Sequence, residues 1–149
     1  MNALENKQIL QAAFAELAVS NAKPFVELMA DDFCWVCTGT TLWSRRYAGR
    51  QTVLDELFAP LRAKLGRITT VANHFTAEGD TVVVEAQGRN MTRDGMSYNN
   101  QYCFVIHMHE GKMQRADRVL RHRPRQPGAR RSGRHLGRVP WLSAIRLVC

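Results

Sequence analysis

The hydrophobic period of this chain changes once, at Gly66, and that change restricts the fold more than any single motif. Before it, apolar residues recur at helical spacing: Ile9, Leu10, Ala13, Phe14 and Leu17 make one stripe, and Val53, Leu54, Leu57, Phe58 and Leu61 another. After it the period falls to two, as where Val82, Val84 and Ala86 alternate with Val83 and Glu85. The spacing predicts helices over 5–20, 24–29 and 51–64. Pro24 sits in the first turn of the second, Pro60 kinks or ends the third, and Gly66 terminates it. Between the last two helices, an acidic turn at Asp31-Asp32 leads into a short strand over 33–38 and a Gly- and Thr-rich loop. Strands then follow over 67–75, 81–89, 98–109 and 113–120. Tight turns at Glu78-Gly79-Asp80, Thr92-Arg93-Asp94-Gly95 and Glu110-Gly111-Lys112 separate them. Helices followed by an antiparallel meander define an α+β fold.

At 149 residues the chain fits one domain with a core of its own. Hydrophobic residues at 45% and charged ones at 23% suit a soluble globular protein. No window approaches the roughly 18 apolar residues of a membrane span. The N-terminus lacks a basic stretch followed by an apolar run, so a cytoplasmic location is expected. The net charge of +8 belongs to one end. From Arg115 onward there are ten Arg, no Lys and one acid, Asp117, which leaves 11 basic against 12 acidic residues in the first 114. Cys34-x-x-Cys37 has the spacing of a metal or redox pair, but residues three apart on a strand face opposite ways and no second pair completes a site. Reduced, packed thiols are expected, and neither metal nor cofactor is assigned.

Several short motifs occur in a characteristic order: Ala30-Asp31-Asp32, the strand carrying Trp35, Gly39-Thr40, Tyr47-x-Gly49-Arg50, Glu78-Gly79-Asp80 with Val82-Val83-Val84-Glu85, Tyr98-Asn99-Asn100-Gln101-Tyr102, and Glu110-Gly111-Lys112. Over residues 5–114 this order resembles the SnoaL-like group of the nuclear transport factor 2-like, or ketosteroid isomerase-like, superfamily. The resemblance implies a cone-shaped domain at residues 1–120, in which three N-terminal helices and a curved antiparallel sheet enclose an apolar pocket. It also implies a homodimer joined through the sheet. Fold does not give function, and members of the superfamily include isomerases, cyclases, dehydratases, hydrolases and non-catalytic modules.

The residues test one branch. Ketosteroid isomerase uses a carboxylate base and an oxyanion site built from a Tyr and a protonated Asp. Laid on this chain, the base position falls at Val36 and the second acid at Phe104, so neither carboxylate is present. The Asp-Arg-Asp set of limonene epoxide hydrolase is not recognisable either. A thinner set of candidates remains. Tyr102 and His74 are the catalytic candidates, as an orienting hydroxyl and a general base. Trp35, Tyr47, Glu85, Asn100 and Phe104 are the ligand-binding candidates, with Glu85 either a buried acid or part of a solvated strand face. His107-Met108-His109 offers two ligands and no third. Two functions follow: an isomerase, cyclase or hydrolase acting on a small hydrophobic carbonyl compound, or a non-catalytic ligand-binding or dimerisation module. A His or Glu within reach of Tyr102 would favour the first, and a filled or apolar interior the second.

Residues 121–149 combine Pro, Gly and Arg without an apolar period and are expected to be disordered. Relatives instead end in a strand resembling Thr-Glu-Tyr-x-Asp-Thr-Ala-Leu. The codons permitted for residues 117–125, read one base later, include Thr, Glu, Tyr, Cys, Asp, Thr, Ala and Leu in that order. Degeneracy makes this compatibility, and it motivates the hypothesis that the tail is a frameshifted reading, with a curtailed final strand, which resequencing would decide. The rival, a third function, is an Arg-rich arm binding nucleic acid by charge alone, with strong salt dependence. Nucleic acid is the less favoured partner and a membrane is not expected.

Overall fold

The computed structural model describes residues 1–121. Helix α1 (Ala3–Leu17) opens on a capping box in which Asn2 and Glu5 satisfy each other's backbone N–H groups. It buries Leu10, Ala13, Phe14 and Leu17 against the sheet. Helix α2 (Lys23–Glu27) starts with Pro24 in its first turn and buries Phe25.

The third expected helix forms in three sections: α3 (Arg50–Thr52), a π-helical turn (Val53–Phe58) and α4 (Ala59–Leu65). Pro60 lies inside α4 and neither ends nor interrupts it. The wider turn immediately before it accommodates a residue that has no N–H and whose ring crowds the preceding carbonyls. Gly66, at φ 73°, terminates the helix as the sequence suggests.

Strand β1 runs Met29–Cys37, so Asp31 and Asp32 lie within the strand and not in a turn before it. They occupy an irregularity where the pairing register shifts between Met29 and Cys34, which lets two exposed carboxylates stand in an otherwise buried strand. Asp31 pairs with Arg50 at 2.7 Å. A short strand that sequence periodicity did not reveal, β2 (Arg46–Ala48), pairs with β1. The meander follows as β3 (Thr70–Glu78), β4 (Thr81–Gly88), β5 (Gln101–His109) and β6 (Lys112–Arg121).

The sheet order is β2-β1-β6-β5-β4-β3. All neighbours are antiparallel except β1 and β6, which are parallel, so the sheet is mixed and mostly antiparallel, within the expected α+β fold. The parallel pair arises because the chain crosses from β1 through the helices and the whole meander before returning beside it. Within the described residues β6 stays paired with β5 as far as Arg121. Residues 122–149, with the expected disorder and the nucleic-acid arm, lie outside the described residues. No helix among the described residues is long and apolar enough to cross a membrane.

The helices cover one face of the sheet, and the core between them is aromatic. Trp35 meets Phe25, Phe33, Phe58 and Phe104 edge-on, with ring centroids 5.5–6.1 Å apart. Phe104 also meets Phe14 at 5.8 Å and stacks on Tyr102 at 5.4 Å. Such pairs add about 0.5–1.5 kcal/mol each beyond the area they bury.

Candidate functional site

Strand alternation decides what reaches the interior. On β1 the inward residues are Phe33, Trp35 and Cys37, all buried, while Val36 is half-buried on the other side. A base in the position assigned by resemblance would therefore face away from the helices; the inner face of this strand carries no carboxylate. On β5 the inward set is Tyr102, Phe104, Ile106 and Met108. On β6 it is Met113, Ala116 and Arg118, with Val119 turned outward and exposed.

These residues and the helices leave a cavity of about 60 Å³, walled by Phe14, Phe25, Trp35, Leu61, Phe104 and Arg118, with Thr70 and Tyr102 also at its surface. Of its lining, Arg62 is exposed and Ala22 and Ile68 are half-buried, which marks the side open to solvent. Among the described residues the lining contains two cations and no Asp, Glu or His.

Arg118 is the unexpected member. It is 6% exposed, and its guanidinium carbon lies 5.4 Å from the centre of the Tyr102 ring. Its Nε is buried without a hydrogen-bond partner, and no ion pair to it occurs among the described residues. Its backbone is fixed firmly: its carbonyl accepts from both the N–H and the hydroxyl of Thr38. The Trp35 indole Nε1 is a second buried donor without an acceptor. The Cys37 sulfur lies beside it, in a weak contact short of a full hydrogen bond. Burial pushes the Cys37 thiol up, against the opposing pull of the Arg118 charge.

Tyr102 stands between these groups. Burial raises its hydroxyl pKa, and Arg118 and the Asn100 side chain act in the opposite direction. Gly88 on β4 makes room for the ring: a Cβ there would meet Tyr102 Cε2 at 3.1 Å. Phe104 lies at the cavity wall beside Tyr102, and Asn100 sits half-buried just before β5.

The other sequence candidates are not brought to this cavity. His74 and Glu85 face each other across β3 and β4, but both are exposed on the outer side of the sheet, on the far side from Tyr102's ring. A bulge between Ala72 and His74 shifts the alternation, and the period-two pattern does not reveal such a shift. Glu85 belongs to a solvated face, lining an open outer groove with Asn73, Gln87, Gln101 and Cys103. Tyr47 is buried, but its hydroxyl donates to the Trp43 carbonyl at 3.1 Å and Arg45 covers its ring, so it is a packed core residue outside the cavity lining. Cys34 and Cys37 are free and face opposite sides of β1, with Arg46 Nε donating to Cys34 Sγ at 3.1 Å.

Arg118 was hidden in the Arg-rich end. The signal that could have found it is an inverted strand: Ala116 and Arg118 share one face while Val119 takes the other, placing a charge where an apolar residue belongs.

A search of the curated proteins found no match. Solved structures match in fold. Bal32a, from a soil-derived mobile gene cassette, superposes with a TM-score of 0.69 at 18% identity, over 79% of this chain and 90% of that one. TerC, co-crystallised with polyporic acid, gives 0.66 at 20%, over 78% and 91%. A putative SnoaL-like polyketide cyclase from Jannaschia sp. CCS1 gives 0.65 at 16%, over 79% and 86%. The profile of the SnoaL-like domain matches residues 10–116, most of the chain and nearly all of its described fold. On that match, with the cone-type α+β architecture behind it, the chain belongs to the SnoaL-like domain family.

Proposed function

We propose that this protein binds a small, largely apolar molecule in the cavity between its helices and sheet, without performing acid–base chemistry on it. The observation that carries this reading is the composition of the lining among the described residues: aromatic and aliphatic walls, a few hydrogen-bond donors, and no carboxylate or imidazole to take a proton. His74 and Glu85, the groups that would have served an enzyme, stand on the opposite face. Solved structures of the same fold include TerC with polyporic acid and a Catenulispora acidiphila protein with trimethylamine; small organic occupants of those proteins support the class of ligand considered for this one.

The test is calorimetric titration with isobutyramide, a neutral probe sized to the cavity. Binding should occur in the wild type and disappear in Leu61→Trp, which fills the space. Absence of binding, or binding indifferent to that substitution, would overturn the reading.

A second reading, an isomerase, cyclase or hydrolase acting on a carbonyl compound, draws on one observation: Tyr102 and Arg118 lie together and could polarise a carbonyl oxygen. It would require the substrate to supply its own base. A homodimer joined through the outer sheet face and a cytoplasmic location complete the proposal. The dimer draws on Val83 and Val105, half-buried on that face, and on exposed Val119; sedimentation velocity tests it.

A further inference from the structure

We infer that the cavity is a carboxylate site: its ligand is a small apolar acid, or a larger molecule ending in one, held by the guanidinium of Arg118. This rests on the binding reading above and names its ligand class.

The argument begins with the cost of the residue. A guanidinium that is 6% exposed has lost nearly all of its hydration, and a buried ion is ordinarily paired or displaced. No described carboxylate offsets it, and a buried Nε–H has no acceptor. The Tyr102 ring face supplies only a partial replacement for water. Nearby, the indole N–H of Trp35 is likewise buried and has only the weak contact to the Cys37 sulfur. Two poorly satisfied donors at one cavity, one of them charged, have a common complement: an anionic oxygen pair. Guanidinium matches a carboxylate in plane and spacing, so Arg118 would hold both oxygens or share one with Trp35 and the Tyr102 hydroxyl.

The rest of the lining points the same way. The other charged residue among its described lining, Arg62, stands exposed at the solvent side, so an entering acid meets positive charge at both ends of its path. The volume limits the ligand. About 60 Å³ holds on the order of four to six water-sized groups, enough for a carboxylate with a short or branched carbon chain. A longer tail would leave beside Ala22 and Ile68. Among these walls the chain is met by Phe14, Phe25, Leu61 and Phe104, all apolar, so a polar acid is disfavoured at its other end.

Isobutyrate and isobutyramide have the same shape and differ in charge. By calorimetry at pH 7, the wild type should bind isobutyrate at least tenfold more tightly than isobutyramide. Arg118→Met should abolish that preference, and Arg118→Lys should keep part of it. Isobutyrate affinity in the wild type should fall as pH drops through the acid's own range, about 4 to 5, with the amide unaffected. Equal affinities in the wild type, or a preference that survives Arg118→Met, overturn the carboxylate site and leave the cavity reading standing. Failure of both probes to bind overturns both. The wild-type comparison needs no variant, so the inference stays testable even if substitution at Arg118 impairs folding.

Discussion

If Arg118 is kept for a ligand, the empty protein bears its cost, and replacing it should stabilise the fold. Arg118→Met is the informative change, since methionine preserves most of the apolar stem and adapts to irregular space. The desolvation penalty of a buried ion, after relaxation, is several kcal/mol; exchanging even a paired set of buried ions for well-packed apolar residues is neutral or stabilises by about 1–4 kcal/mol, and Arg118 has no paired charge among the described residues to offset its penalty. The contact with Tyr102, at 5.4 Å, returns about 0.5–2 kcal/mol of this. A net gain of about 1–3 kcal/mol follows. In urea, with a slope of about 1–3 kcal/mol/M, a gain of 2 kcal/mol moves the unfolding midpoint up by roughly 1 M.

The assay is urea unfolding followed by far-UV circular dichroism on both proteins, with and without isobutyrate. Saturating ligand at about 100 times its dissociation constant should add about 2.7 kcal/mol to the wild type, whereas the variant, binding about tenfold more weakly, gains about 1.4 kcal/mol, so the gap between them narrows by about 1.3 kcal/mol. A midpoint that falls in Arg118→Met, unchanged by isobutyrate in either protein, would refute the reasoning. It would mean that the guanidinium has a structural partner.

Three further outcomes follow from the same geometry. Phe104→Ala should cost about 3–5 kcal/mol, because Phe104 joins Phe14, Trp35 and Tyr102 and borders space that is already open; a loss under 1 kcal/mol in urea unfolding would contradict its place in the core. His74→Ala and Glu85→Gln should leave probe affinity within twofold, since both side chains are exposed on the outer face; a tenfold loss by calorimetry would restore them to the site. For pH, burial raises the Tyr102 hydroxyl above its ordinary value of 10, so the folded protein keeps that proton longer than the unfolded chain does. Its contribution is complete below pH 10 and is lost as pH climbs through the higher folded value. Tyr102→Phe should therefore flatten the decline of stability above pH 10, and identical slopes in the two proteins would count against a buried hydroxyl.

The fold was legible because it depends on repetition. A helical stripe or an alternating strand repeats its signal over many residues, so α1, β4 and β5 survive the loss of any one position. Features that depend on one or two residues were not legible. Strand β2 has three residues and no period to detect. The irregularity at Asp31 and Asp32 reads as a turn because carboxylates inside a strand violate the pattern that identifies strands. The candidate site shows the same limit more sharply. His74 and Glu85 were chosen for their chemistry; a single bulge in β3 put His74 on the outer side of the sheet, and Glu85 stands there by the plain alternation of β4. Arg118 was passed over because nine other arginines follow or flank it from Arg115 onward, and a charge run is normally a solvated feature. Membership in the run says nothing about orientation; alternation along β6 does. The residue two before Arg118 is the buried Ala116, and the one after it is the exposed Val119. A strand that turns its arginine inward and its valine outward gives up stability at both positions, and a requirement at the cavity is the physical reason the fold offers for that arrangement.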